Sequence, residues 1–287
     1  MKRQDVIIVG APRSGTNLLR DVLTRSAGVV TWPCDEINAI WRHGNRDHPN
    51  DEIPANRANT KTRQFVRDRF DRLRTRYGGH TVVEKTCANS LRLDFVAALL
   101  PDARFVLIIR DGVDATASAL QRWNGSVDWG YTARKARFVP MGDLAHSAIR
   151  FTRNRLADRR GGHHDRQVRS WGPRFDGIDA MLREHTPIEV CATQWRRCVE
   201  LGDASLARLP VEQVHRLSYE KFVQQPSDHL AELLDFLGLP AHDLPSAVSG
   251  VSATSIGRGR TSLDSAALAR VAPILSPTMD RLSLIHI

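Results

Sequence analysis

The stretch DVIIVGAPRSGTN at residues 5–17 constrains this chain most. Residues 5–10 (DVIIVG) form a short, β-branched apolar run that ends on Gly10, the pattern of a strand buried on both faces in a parallel sheet. Leu18, Leu19, Val22 and Leu23 follow at helical spacing, which predicts a helix beginning near Thr16. In the loop between, Gly10 and Gly15 have the Walker A glycine spacing. Glycine lets the backbone approach an anion closely, and the open N–H groups of the first helical turn point at it with the helix dipole behind them. Ser14, Thr16 and Asn17 add side-chain donors, so Pro12 to Asn17 are candidate anion contacts. A Walker A loop continues Gly-Lys-Ser/Thr, whereas here Gly15 precedes Thr16 and Asn17, and the cation is Arg13, inside the loop. A plain strand-to-helix turn needs no such coincidence of strand, glycine spacing, internal cation and helix start.

Further strands are predicted at 28–32, 80–85, 104–110 and 214–220. Helices are predicted at 62–77, 89–100, 189–207 and 226–237, with another starting directly after 110. Strands alternating with helices predict an α/β chain with a three-layer parallel sheet flanked by helices. Val66, Phe70, Leu73 and Tyr77 mark the apolar face of the 62–77 helix; its arginines share the other face with Asp68 and Asp71 and read as solvated. Residues 41–60 read as a long loop. Residues 1–280 are expected to form one domain, with 121–187 as an insertion or lid. The last seven residues, RLSLIHI (281–287), match nothing before them and read as an artefactual tail.

At 287 residues the chain can bury a full core without staples. Four cysteines without a CxxC pair indicate reduced thiols and a cytoplasmic setting, with no zinc ribbon and no metal expected. No apolar run nears the length that spans a bilayer. A net charge of +9 raises nucleic acid as a partner, but no recognition motif accompanies it and aromatics are only 6%. The charge suits a polyanionic cofactor better.

Arg110 is predicted at the carboxyl end of the 104–110 strand, with Ser118 two helical turns further on. Ligands of parallel sheets bind beyond those strand ends, so Arg110 is expected in the same crevice as the 10–17 loop, where an arginine and a hydroxyl suit a second phosphate. Alone, an Arg110 paired with Asp111 or Asp114 is the plainer reading. Lys85 sits at another strand end, and its plain reading is a salt bridge with Glu84.

Taken together, these segments resemble the sulfotransferases that use 3′-phosphoadenosine 5′-phosphosulfate. PRSGT (12–16) resembles the family's 5′-phosphosulfate loop, with Arg13 in the place of its common lysine, and Arg110 with Ser118 resembles its 3′-phosphate motif. EKT (84–86) and the strand-then-helix segment 214–240 are also similar. GRGR (257–260) resembles the late basic segment that closes over the nucleotide, which implies roles for Arg258, Gly259 and Arg260. The resemblance implies a P-loop nucleotide-kinase-like fold, the phosphosulfate nucleotide as donor, and a hydroxyl or amine acceptor, in the bacterial and Golgi carbohydrate type a carbohydrate or glycolipid. Arg13 and Lys85 would stabilise the sulfonyl and leaving oxygens. In cytosolic small-molecule members a histidine follows Lys-Thr and acts as base; here Cys87 follows Lys85 and Thr86. Carbohydrate-type members use a glutamate after the first helix, which implies Glu36, with Asp35 its neighbour and competitor. A P-loop kinase or NTPase, or a non-catalytic nucleotide-binding module, remain the other readings. The sequence leaves the acceptor and the oligomeric state open.

Overall fold

The computed structural model describes residues 3–123 and 172–282. The elements run β1 (Gln4–Val9), α1 (Thr16–Leu23), β2 (Val29–Val30), α2 (Asn38–Trp41), α3 (Thr60–Tyr77), β3 (Thr81–Lys85), α4 (Leu93–Leu99), β4 (Arg104–Ile109) and α5 (Gly112–Trp123). After the undescribed residues come α6 (Ile178–Glu184), α7 (Pro187–Leu206), β5 (Val214–Ser218), α8 (Tyr219–Gln224), α9 (Pro226–Leu237), α10 (Leu244–Ala247), α11 (Arg258–Ser262) and α12 (Ser265–Arg281).

The five strands form one sheet in the order β2-β3-β1-β4-β5, and every adjacent pair is parallel. β1 is central: Ile8 lies opposite Lys85 of β3 and Val106 of β4. Alternation along the strands divides the core into two layers. Ile7, Val9, Val82, Phe105 and Leu107 face one side, where α3, α4, α5, α7 and α12 pack. Val6, Ile8, Val83, Val106 and Ile108 face the other, against α1, α8 and α9. The result is the expected α/β fold, a parallel sheet between two layers of helices. Because all strands point one way, the loops after β1, β3, β4 and β5 meet at one edge, and the chain reverses direction around β1.

Several boundaries differ from expectation. The 28–32 strand shrinks to Val29–Val30. The 214–220 strand stops at Ser218, whose hydroxyl accepts the Lys221 amide and so starts α8. The 89–100 helix is split into a 3-10 turn (Cys87–Leu91) and α4. Tyr77, expected on the apolar face of α3, is 47% exposed at its last residue. Arg74, expected on the solvated face, is buried against Asp5 and Asp71. The 41–60 segment is a loop apart from the end of α2 and one 3-10 turn, Ala55–Arg57. Within 121–187, Trp123 is buried at the end of α5 and α6 is helical, while Trp129, His163, His164 and Trp171 lie outside the described residues. Of the expected tail, Arg281 ends α12 and Leu282 packs against the core; the remainder lies outside the described residues. None of the four cysteines is in a disulfide, and among the described residues no helix is long and apolar enough to cross a membrane.

Candidate active site

The loop after β1 is shaped by close approach. A Cβ on Gly10 would stand 2.8 Å from the Ile108 carbonyl oxygen of β4, and one on Gly15 would stand 2.4 Å from the Tyr219 ring. Gly15 also has φ +87°, left-handed backbone that glycine adopts without penalty. Arg13 adopts the same region at φ +69° despite its Cβ. Between them, the Ser14 amide closes a turn onto the Ala11 carbonyl at 3.2 Å. α1 starts at Thr16 with no side-chain cap, so its first amides have no intrahelical acceptor. Ser14 Oγ and Asn17 Oδ1 are buried there without a hydrogen-bond partner among the described residues. Burial, then the neighbouring charges of Arg110 and Arg122, pulls the Arg13 pKa below its ordinary value, so this environment favours an incoming anion.

The structure joins this loop to the second set of residues. The Arg110 guanidinium donates through Nη1 to the Arg13 carbonyl at 3.1 Å and through Nη2 to the Ser255 carbonyl at 2.8 Å. It lies over the Tyr219 ring, 4.6 Å from its centroid, and its Nε is buried without a partner among the described residues. Ser118, expected to serve beside Arg110, instead accepts from Arg13 Nε at 3.0 Å. Arg110 keeps a 3.7 Å contact with Asp114 but is turned toward the loop, so neither plain pairing describes it fully.

The late segment lies over the same place. The Gly257 and Gly259 amides donate to Asp114 at 2.8 and 2.6 Å, Arg260 pairs with Asp111 at 2.9 Å, and Tyr219 Oη meets Ser255 Oγ at 2.6 Å. Arg258, between these two glycines at the start of α11, is exposed. Trp195, which reads in the sequence either as core or as a ring for stacking, is core: it is buried and donates from Nε1 to the Arg110 carbonyl at 3.1 Å.

The end of β3 forms the third wall. Lys85 Nζ lies 3.2 Å from Glu36 Oε1, which also accepts the Cys87 amide at 3.2 Å. Lys85 thus pairs with Glu36 and not with Glu84. Burial opposes the Lys85 charge, but the Glu36 and Asp35 carboxylates and the Glu36 hydrogen bond hold its pKa above the usual lysine value. Asp35 is drawn instead to Arg20 of α1, at 3.2 Å. Burial pushes the Cys87 thiol up to about 12, so it stays neutral, and it touches the Thr16 hydroxyl at 3.7 Å. Beneath, Thr86 Oγ1 accepts the Ile37 amide at 3.1 Å and donates to the fully buried Glu84 at 2.5 Å. Among the described residues no group of three or more His, Cys, Asp or Glu is placed to hold a metal ion.

Tyr219 and Ser255 carry no role in the sequence reading, while Asp114 and the Glu84–Thr86 pair take parts at this edge that the sequence does not assign to them. Asp114 stands four residues after Arg110 in a predicted helix, and Tyr219 lies at a predicted strand end; both were visible signals. Ser255 had none, since nothing in its neighbourhood marks an element.

Comparison with known proteins agrees with this fold. The model of the sulfotransferase family matches residues 5–169 and 174–243. Among solved structures, the sulfotransferase domain of the Synechococcus PCC 7002 olefin synthase aligns at TM-score 0.55 and 15% identity, over 97% of this chain and 96% of that one. Sulfotransferase STF9 from Mycobacterium avium aligns at TM-score 0.51 and 12% identity, over 98% of this chain and 77% of that one. The sulfotransferase domain from the curacin biosynthetic pathway gives 0.50 and 15%, over 89% and 83%. These likenesses are of fold, and a search of curated proteins finds no match. The family match covers most of the chain, and by it the protein belongs to the sulfotransferase family.

Proposed function

We propose that the protein transfers a sulfuryl group from 3′-phosphoadenosine 5′-phosphosulfate to a hydroxyl, or less favourably an amine, of a carbohydrate or glycolipid acceptor, and that residues 1–280 act as one catalytic domain around the 121–187 insertion. The observation that carries this reading is the contact between Arg110 and the Arg13 carbonyl, which puts the two anion-binding segments side by side at the carboxyl edge of the sheet. The unpartnered Ser14 hydroxyl and the open amides of α1 fit a phosphosulfate. The remaining donors of Arg110, beside the Ser255 carbonyl, fit a 3′-phosphate, with Arg260 of α11 as a second cation.

In this reading Arg13 and Lys85 stabilise the charge that builds on the bridging and sulfonyl oxygens as the bisphosphate leaves. Glu36 takes the acceptor proton. Before the donor arrives it is held in an ion pair with Lys85 at 3.2 Å. When the sulfonyl oxygens draw Lys85 away, the carboxylate is released toward the acceptor. Asp35, committed to Arg20, is the weaker candidate. Pro12, Gly15, Thr16, Ser118, Arg258 and Gly259 complete the proposed donor contacts.

Calorimetry tests the reading directly. Adenosine 3′,5′-bisphosphate should bind without magnesium, and ATP should bind far more weakly. Arg110→Ala should weaken the bisphosphate much more than adenosine 5′-monophosphate. Tight, magnesium-dependent ATP binding, or equal losses in the variant, would refute it.

A further inference from the structure

Asp114 lies in the first turn of α5 with a side chain only 1% exposed, and a carboxylate so buried requires strong partners. It does not cap its own helix. Asp111 does that, accepting the Val113 and Asp114 amides at 2.9 and 3.0 Å. Both oxygens of Asp114 instead leave α5 and accept the Gly257 and Gly259 amides. Those amides stand at the start of α11, whose preceding residue, Gly257, has no side chain to cap it. Asp114 therefore supplies the cap of α11 from another helix. The backbones touch at this point: a Cβ on Gly259 would lie 2.7 Å from the Val113 carbonyl. The same cluster aligns Ser255, whose carbonyl receives Arg110.

Resting on the reading that Arg110 meets the 3′-phosphate, we propose that Asp114 is a positioning residue: it clamps the 255–260 segment onto α5 and so builds the wall that recognises that phosphate. Charge and position act in opposite directions here. As a bare negative charge 3.7 Å from Arg110, Asp114 repels an anion, and its removal would tighten binding. As a clamp it is needed for binding, and its removal loosens it.

Asp114→Asn leaves a single oxygen acceptor for two amides. The dissociation constant of adenosine 3′,5′-bisphosphate should rise roughly tenfold, the equivalent of one charge-assisted hydrogen bond. That of adenosine 5′-monophosphate should change less than about twofold. Unchanged or tighter bisphosphate binding overturns the proposal. Should the variant not fold, amide exchange in the wild-type protein, followed by NMR, decides: the bisphosphate should slow exchange at Gly257 and Gly259, and no slowing overturns the clamp. Arg110→Ala separates the two levels. If it weakens both nucleotides equally, the 3′-phosphate reading itself fails and takes the clamp with it. If it weakens only the bisphosphate while Asp114→Asn weakens neither, the clamp alone is wrong.

Discussion

Arg13 holds a conformation that costs an L-residue about 1 kcal/mol, beside two other arginines and partly withdrawn from water. Such strain at a ligand-facing position is consistent with a residue placed for binding and not for stability. Arg13→Gly should therefore keep or raise the melting temperature while abolishing turnover; a clear drop in melting temperature would show that Arg13 holds the loop together. Glu36→Gln keeps the shape of the Lys85 and Cys87 contacts but removes the proposed proton acceptor. Turnover should fall by about 10² to 10⁴-fold with bisphosphate binding retained. Retained turnover would pass the role to Asp35 or another group. Arg13 and Arg110 were readable in the sequence because strand ends locate side chains in a parallel sheet. The pairing of Arg13 with Ser118 was not, since it depends on how the loop turns.

The elements that sequence pattern exposed best are those with unbroken apolar runs or clear boundaries: β1, β4, and α9 between Pro226 and Gly238. α12 went unassigned because Pro273 and Pro277 break its pattern. The signal was nevertheless present. Val271, Leu275 and Met279 recur every four residues and are buried, while both prolines sit on the exposed face. Leu275 and Met279 crowd Gly112 at the start of α5, each within 3.2 Å of where a Cβ would lie. α12 thus fixes the helix that carries Asp111 and Asp114. Its N-cap is Asp264, which accepts the Ala267 amide at 2.7 Å. Asp264→Ala should cost about 1 kcal/mol and lower the melting temperature by about 2 °C. Calorimetric scans check this, and an unchanged transition would mean that α12 is held by packing alone.

Across the whole molecule, one buried acid sets a pH dependence. Burial drives the Glu84 pKa from its ordinary 4.5 up to about 7, against hydrogen bonding from Thr86. The folded chain therefore binds this proton more tightly than the unfolded chain. Glu84 favours folding fully below about pH 4.5, and that contribution is lost as pH rises toward 7, about 3 kcal/mol in all. Glu84→Gln should remove this slope: the stability of the wild type relative to the variant should fall from pH 4.5 to 7 and level off above. A flat difference would mean that Glu84 titrates normally. The sheet order has a consequence for synthesis. β1 leaves the ribosome first yet sits in the middle, flanked by strands made much later, and the segment at 255–260 follows all of them. A nascent chain that ends before Ser255 already carries all five strands but lacks the last wall of the proposed nucleotide cleft. Stalled translation intermediates of that length should gain no protease resistance from adenosine 3′,5′-bisphosphate, and chains that reach past α12 should.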